Sequence, residues 1–456
     1  MKRLGVLLLV ITAITVIITF VIVMNMSDSA EQTGQKQEHF DDSYSGWIRN
    51  VYIMSNKENE IIILYDHTNY IAKGTAQSDY TGVADIELSN GKITQILAKS
   101  DGIEGVLDRY SEKEVQIKDY ETLSYEGTLP VYVVSDSLLV RQPVRQIAMS
   151  DLVIGNSKVK LIVADKKACA IVQYSKDIAN NIRVLLKNGN NITYSDLYIK
   201  SNKTYRVNEK KVRAKKLTAA SSYLKGKKNG EEMGISPTTG KLFVCNSRGE
   251  KIAEGYEGNF IIRKEADGYI LINELPVEDY VRYVLPSEMP LGFSYEALKA
   301  QAVCARTFAY GQMHNQAYAQ YGANLDDTTA YQVYHATTTY DVTDQAVLDT
   351  SGMVLTYDGA LTDCYYYSTS PGYSETLEVW NADSPGYLKG ENHTQAKTKD
   401  LSNKQAFHKF INKQVKSYDS DSPYYRWTAT ISNKMGMDPE LGHLKKIKVK
   451  ERSSSG

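Results

Sequence analysis

Leu4–Met26 contains no charged side chain and is built mainly from Leu, Ile, Val, Thr and Ala. As a helix, a run of this length spans a hydrocarbon core of about 30 Å. Lys2 and Arg3 precede it, and Asp28 and Glu31 follow it. The excess of basic residues on the short N-terminal side places residues 1–3 in the cytoplasm and the chain after about residue 27 outside. A cleaved leader would have a shorter apolar region, of about 7–15 residues, ending in a small-x-small site. Here the run is longer, and Ser27-Asp28-Ser29-Ala30 makes a poor cleavage site. The expectation is an uncleaved single-pass anchor over residues 4–26, with the bulk of the chain extracellular.

With 456 residues, the chain has room for about three folding units at roughly 150 residues each. The 53 Lys and Arg against 54 Asp and Glu argue against nucleic acid as a partner, since such binders carry a strongly basic domain. Hydrophobic content of 42% and charged content of 23% exclude wholesale disorder. The 34 Tyr far outnumber the 8 Phe and 3 Trp. Tyrosine joins a flat apolar face to a polar tip, so the excess suggests half-exposed strands or a surface that meets polar, ring-shaped ligands. Cys169, Cys245, Cys304 and Cys364 show no C-x-x-C spacing and no short-range pairing. Four cysteines allow three pairings. Cys169 and Cys304 lie in apolar runs and read as small buried hydrophobes. The seven histidines are scattered without zinc-site spacing, so neither a metal nor a cofactor is expected.

After the anchor, residues 27–46 are polar and read as a tether. Residues 47–172 read as a β-rich module. Ile61–Tyr65, Val131–Val134 and Val159–Val163 are strand-like, and Val83–Leu88 and Ile93–Leu97 flank Asn90-Gly91, a hairpin signature. This module shows no acid/base pair or phosphate loop. The remaining unit, 173–456, opens with strands at Ile182–Leu186, Gly258–Arg263 and Tyr269–Asn273, and then the apolar period becomes helical. A short helix is expected from Pro276, with Glu278 and Asp279 in its first turn and Pro286 as its stop. Glu288 then falls between Pro286 and Pro290, on a stiffened loop able to present a side chain to a cleft. A long Ala-rich helix follows, about Ser294 to Tyr318, with Ser294 as N-cap. Lys299, Val303, Arg306 and Tyr310 share one of its faces. A basic stripe of this kind is ordinarily solvated surface, but beside a loop glutamate it would tune that acid or bind an anionic substrate.

Several runs together carry a resemblance. They are Ile272-Asn273-Glu274-Leu275-Pro276-x-Glu278-Asp279-Tyr280, then Pro286-Ser287-Glu288-Met289-Pro290, then Glu296-Ala297-Leu298-Lys299-Ala300-Gln301-Ala302-Val303-x-Ala305-Arg306-Thr307. Further on come Asp326-Asp327-Thr328-Thr329-x-x-Gln332-Val333-Tyr334, Val347-x-x-Thr350-x-Gly352-x-Val354-Leu355, Tyr367-Ser368-Thr369-Ser370-x-Gly372-Tyr373-Ser374-Glu375 and Trp380. Across roughly 178–450 the chain resembles the stage II sporulation protein D / LytB family.

The resemblance implies an α+β catalytic domain, with a central helix packed on β-sheet, that acts on peptidoglycan outside the membrane. It implies a lytic transglycosylase that cleaves the MurNAc–GlcNAc bond without water and leaves a 1,6-anhydro end. Glu288 would be the catalytic acid/base, with Lys299 and Arg306 as the important basic residues of the next helix. Ordinary glycosidases need two carboxylates. Here the sugar's own 6-hydroxyl attacks, so one glutamate can give and then take the proton, and partial desolvation would suit it to the acid role. Gln332, Tyr334, Tyr367, Ser368, Thr369, Ser370 and Glu375 are expected to line the substrate cleft. Tyr331, Tyr340, Tyr365, Tyr366 and Tyr373 lie near these motifs. LytB-type relatives imply a second role, a non-catalytic enhancer of a wall amidase, and a sporulation scaffold is a third. The implied partners are peptidoglycan strands, a wall amidase or sporulation membrane proteins, met outside the cell or between membranes during engulfment. The chain departs from the family pattern twice. Leu325, Ala330 and Tyr331 stand where some relatives carry a zinc-binding Cys-x4-His-Cys, and Pro371-Gly372 stands in place of Gly-Gly. The last residues, Ile447–Arg452 and then Ser453-Ser454-Ser455-Gly456, suggest a domain shortened at its C-terminal end.

Overall fold

The Asn90-Gly91 turn shows why the first strands form where they do. Both residues take positive φ, 51° and 69°, as a two-residue hairpin turn of matching twist requires. The strands it joins, Gly82–Ser89 and Lys92–Ala98, pair antiparallel as the alternation of apolar residues demands. This computed structural model describes residues 38–57, 60–74, 80–134, 144–174, 180–315, 317–334, 338–377, 383–395, 400–430, 446 and 448–456. The anchor expected over residues 4–26 and the first part of the tether lie outside them. Among the described residues, no helix is long and apolar enough to cross a membrane.

The fold is mixed α+β, with many strands and few helices. It divides into two compact units. One holds the described residues up to Tyr280 together with those of 312–336, and the other holds 281–311 and the described residues from 338 onward.

The first unit contains three large sheets. A five-stranded sheet runs in the order Thr68–Lys73, Glu60–Tyr65, Gly46–Lys57, Gly82–Ser89, Lys92–Ala98. A seven-stranded sheet follows, with Lys167–Gln173, Lys158–Ala164 and Gly102–Tyr110 as neighbours at its centre. Tyr52, Leu64 and Val83 of the first sheet pack with Tyr132, Ile162, Cys169 and Val172 of the second. The third sheet, also of seven strands, holds Glu232–Pro237, Asn259–Glu265, Gly268–Pro276, Asn181–Leu186 and Leu325–Asp326 in that order.

Lys167–Gln173 of the second sheet and Asn181–Leu186 of the third lie in the same compact unit. The reason is a buried ionic junction. Asp108, on the Gly102–Tyr110 strand, is 2% exposed, and Arg183 and Arg263 of the third sheet are 1% and 0% exposed. Arg183 donates to Asp108 Oδ1 at 2.8 Å and to Glu274 Oε2 at 2.7 Å. Arg263 donates to Asp108 Oδ2 at 3.1 Å and also to Glu232. Gly155 leaves room for this arrangement, because a Cβ there would lie 2.6 Å from Arg183 Nε.

Burial opposes ionisation of Asp108, but Arg183 and Arg263 outweigh it and hold the carboxyl below the usual carboxylate range. Burial pushes Glu232 up, against the attraction of Arg263. An aspartate held low keeps its charge in the folded chain to lower pH than in the unfolded chain. Its contribution is therefore full above about pH 4 and is lost as pH falls through the folded value. Asp108→Asn should cost about 3 kcal/mol at pH 7, because it takes from two buried guanidinium groups the carboxylate they share and leaves each with a single acidic partner. In urea melts of the full chain monitored by near-ultraviolet circular dichroism, the gap between wild type and variant should narrow as pH falls below about 4.

Candidate active site

The Gly268–Pro276 strand runs directly into helix α1, Val277–Glu288, whose first turn carries Glu278 and Asp279. Helix α2, Tyr295–Gln312, follows. Ser294 begins it as its sequence suggests, with Oγ accepting from Ala297 N at 3.3 Å. It ends at Gln312 rather than near Tyr318: Asn315 bonds back to both the carbonyl and the side chain of Gln312.

The structure corrects the expectation that Pro286 stops the first helix and leaves Glu288 on a loop. Pro286 lies inside α1 and Glu288 is its last residue. The ladder continues past the proline, since Met289 N donates to Leu285 O at 3.0 Å and Ser287 Oγ donates to Tyr283 O at 2.9 Å. A proline in the last turn removes one donor without dismantling the bonds already formed before it. Glu288 is half-buried there.

Within the second unit, α2 fastens a third helix, α3, Asp341–Asp349, and the turn after it. Arg306 is fully buried and donates to Val347 O and Met353 O, both at 3.2 Å. Thr307 Oγ1 accepts from Leu355 N at 3.0 Å. Arg282 of α1 pairs with Asp344 of α3 at 2.9 Å, and Tyr295 donates to Asp349 at 2.8 Å. The helix motif and the later Val347–Leu355 motif are thus two halves of one packing arrangement. Lys299, at the same helix face, differs from Arg306: it is half-exposed and pairs with Glu296 at 3.3 Å, one turn back. The basic stripe expected over Lys299 and Arg306 splits into one accessible cation and one core anchor.

Gln332 and Tyr334 belong to the first unit, and both are 0% exposed. Tyr280 donates to Gln332 Oε1 at 3.1 Å, and Tyr334 donates to Asn273 Oδ1 at 2.8 Å. Asn273 in turn donates to the carbonyls of Glu257 and Asn259. The Tyr280 and Tyr334 rings pack with centroids 5.0 Å apart. Asp326, 1% exposed, caps Thr328 and accepts from Tyr318 at 2.7 Å. These motif residues form a polar core in which Gln332 and Tyr334 are buried.

The later loop of the second unit is more open. Tyr367, at 59% exposure, Ser368 and Glu375 face solvent. Thr369 is half-buried and shares a hydrogen bond with Ser422 at 2.9 Å. Ser370 is buried: its N–H donates to Asp419, and its Oγ accepts from Gly372 N at 3.2 Å. Gly372 takes φ +99°, where a Cβ would lie 2.7 Å from Thr394, so the single glycine after Pro371 meets the need of this turn. Glu375 accepts from Ser453 at 3.0 Å and from Ser455 at 2.8 Å.

All four cysteines are free thiols, and Cys169, Cys245 and Cys364 are buried. Cys304 and Cys364 lie within hydrogen-bond contact, a proximity that the sequence spacing hides. This contact lowers the Cys304 thiol to about 7 against its burial and raises that of Cys364. Among the described residues, no group of three His, Cys, Asp or Glu could hold a metal ion.

Residues 265–357 match the family model described as stage II sporulation protein. The class that this part of the chain is similar to is thereby defined: the stage II sporulation protein family. Among curated proteins, stage II sporulation protein D of Bacillus subtilis (strain 168) is 38% identical over 177 residues, 35% of this chain and 51% of that protein. The amidase enhancer of the same strain is 41% identical over 113 residues, 25% of this chain and 15% of that protein. Stage II sporulation protein D of Bacillus amyloliquefaciens is 36% identical over 133 residues, 26% of this chain and 38% of that protein. The chain thus spans about half or less of the length of these relatives. The family match takes in Glu288, Lys299, Arg306, Gln332 and Tyr334, and the Tyr367–Glu375 loop lies beyond it.

The two basic residues of α2 should respond differently to substitution. Arg306→Met should lower stability by about 3 kcal/mol, since it leaves buried carbonyls without their donor. Lys299→Gln should stay within about 0.5 kcal/mol of wild type. Calorimetric melting of both variants beside wild type measures the contrast.

Proposed function

We propose that this protein is a membrane-anchored peptidoglycan lytic transglycosylase, with Glu288 as its acid/base. The observation that carries the proposal is Glu288 itself. It is half-buried on the last residue of α1, within a Pro-Ser-Glu-Met-Pro motif that falls inside the family match. Glu288 protonates the glycosidic oxygen as the MurNAc C1–O bond breaks. The C6 hydroxyl of the same sugar then attacks C1, and its proton goes to the Glu288 carboxylate. The 1,6-anhydro ring closes, the acid is regenerated, and no water enters.

Lys299 is the cation available to substrate. Arg306 acts as a positioning residue by holding α2 against the turn after α3, and Gln332 and Tyr334 act through the core that seats the start of α1. Tyr367, Ser368 and Glu375 offer hydroxyl and carboxylate groups to sugar hydroxyls, and Thr369 and Ser370 hold the loop that carries them. The setting is the outer side of the membrane, or the space between membranes in sporulation. The partners are glycan strands and wall or sporulation proteins. A second role, enhancement of a wall amidase without turnover, is supported by the identity to a relative named amidase enhancer.

Purified glycan strands, with and without stem peptides, digested by the full chain and examined by mass spectrometry should yield anhydro-muropeptides. Glu288→Gln should lower the rate by about 10²–10⁴-fold at unchanged fold stability. Absence of anhydro product from wild type, with a rise in the rate of an added amidase, would replace the enzyme role by the enhancer role.

A further inference from the structure

Helix α2 holds a later segment of the second unit through residues spaced i, i+3 and i+4, which share one face. Cys304 lies in hydrogen-bond contact with Cys364, and Thr307 Oγ1 accepts from Leu355 N at 3.0 Å. The Phe308 ring meets the Tyr366 ring with centroids 6.5 Å apart. Between Leu355 and Cys364 the chain turns through a short hairpin, Thr356–Tyr357 with Ala360–Leu361. Thr362 N donates back to Leu355 O at 3.1 Å, and Asp363 N donates to Tyr387 Oη at 2.9 Å. Cys364 therefore sits in a fixed segment, just before Tyr367 opens the exposed loop.

The two thiols are unequal. Cys304 is partly exposed, whereas Cys364 is buried. Cys364 donates its S–H to Cys304, and this bond lowers the Cys304 thiol to about 7 against its own burial. A thiol so lowered is in good part thiolate near neutral pH, the form that attacks a disulfide. The buried partner is shielded from a reagent but stands against the very sulfur that would carry the adduct. Cys169 and Cys245 differ: each is buried in the first unit and donates to a backbone carbonyl, that of Lys167 and of Phe243.

We propose that Cys304 and Cys364 form a redox-active dithiol that closes to a disulfide and locks the segment before the Tyr367–Glu375 loop onto α2. The Cys304 thiolate attacks an incoming disulfide, RSSR, forming a Cys304–SR bond and expelling RS⁻. Cys364 then gives its proton to that RS⁻ and attacks Cys304 Sγ, expelling the second RS⁻, which takes a proton from solvent. The two cysteines lose two electrons and RSSR is reduced to two RSH. The sulfurs have only to close from contact to a bond of about 2 Å. The bond ties residue 304 to residue 364 across a long stretch of chain, so it stabilises the folded form against the unfolded one.

The test exposes the folded full chain to glutathione disulfide, then unfolds it, alkylates the remaining thiols and maps its peptides by mass spectrometry. Wild type should yield a Cys304–Cys364 cross-link, with Cys169 and Cys245 alkylated. Cys364→Ser should stop at a glutathione adduct on Cys304, whereas Cys304→Ser should leave Cys364 unmodified. Oxidised wild type should melt about 5–10 °C above the reduced chain. Cys304→Ala/Cys364→Ala should melt at one temperature with and without glutathione disulfide. A lasting adduct on wild-type Cys304 without the cross-link, a Cys364→Ser chain with no adduct, or a cross-link that forms only in denaturant would overturn the assignment. So would an oxidised chain that melts no higher than the reduced one, since the bond would then lock nothing.

Discussion

Asp108 is the point on which the first unit turns. One buried carboxylate accepts from two buried guanidinium groups that come from different strands of the third sheet. Removing these charges from water is costly, and only close pairing offsets the cost. The junction therefore demands one register of the third sheet against the Gly102–Tyr110 strand. Arg183 faces Glu274 directly across the antiparallel pair, so the same contact also sets the strand that leads into α1. Apolar packing alone would tolerate small slips here, whereas a buried ion cluster would not.

The family motifs become intelligible as two kinds of residue. Asn273, Glu274, Tyr280, Gln332 and Tyr334 close a polar core in the first unit, and Arg306, Thr307 and the Val347–Leu355 stretch do the same in the second. Glu288, Lys299, Tyr367, Ser368 and Glu375 remain half-buried or exposed. A strong motif thus marks scaffold as readily as chemistry. The tyrosine excess divides the same way: Tyr132, Tyr205, Tyr280, Tyr283 and Tyr334 are fully buried, while Tyr365, Tyr367, Tyr418 and Tyr424 are exposed.

Much of the strand pattern was legible because it is local. Alternation and an Asn-Gly turn identify the Gly82–Ala98 hairpin, and an N-cap serine before an Ala-rich period identifies α2. The ionic junction was not legible, since Asp108 meets Arg183 and Arg263 across 75 and 155 residues of sequence. No short-range pattern reports such a pairing. The burial of Arg306 was not legible either, because a cation spaced helically from Lys299 resembles a solvated stripe. The contrary signal was present in Ala302, Ala305 and Ala309, which bracket it on a face built for close approach. Pro286 misled in the same way: proline ends a helix reliably in its interior, but the last turn tolerates it.

The central physical claim is that Asp108 makes two sheets open as one. Native-state hydrogen exchange of the full chain, followed by mass spectrometry of peptides, measures this directly. Peptides from Gly102–Tyr110 and from Asn181–Leu186, Asn259–Glu265 and Gly268–Pro276 should share one opening free energy, and Asp108→Asn should lower it equally in all of them. Independent opening of the Gly102–Tyr110 strand, with protection of the third sheet unchanged in the variant, would contradict the claim.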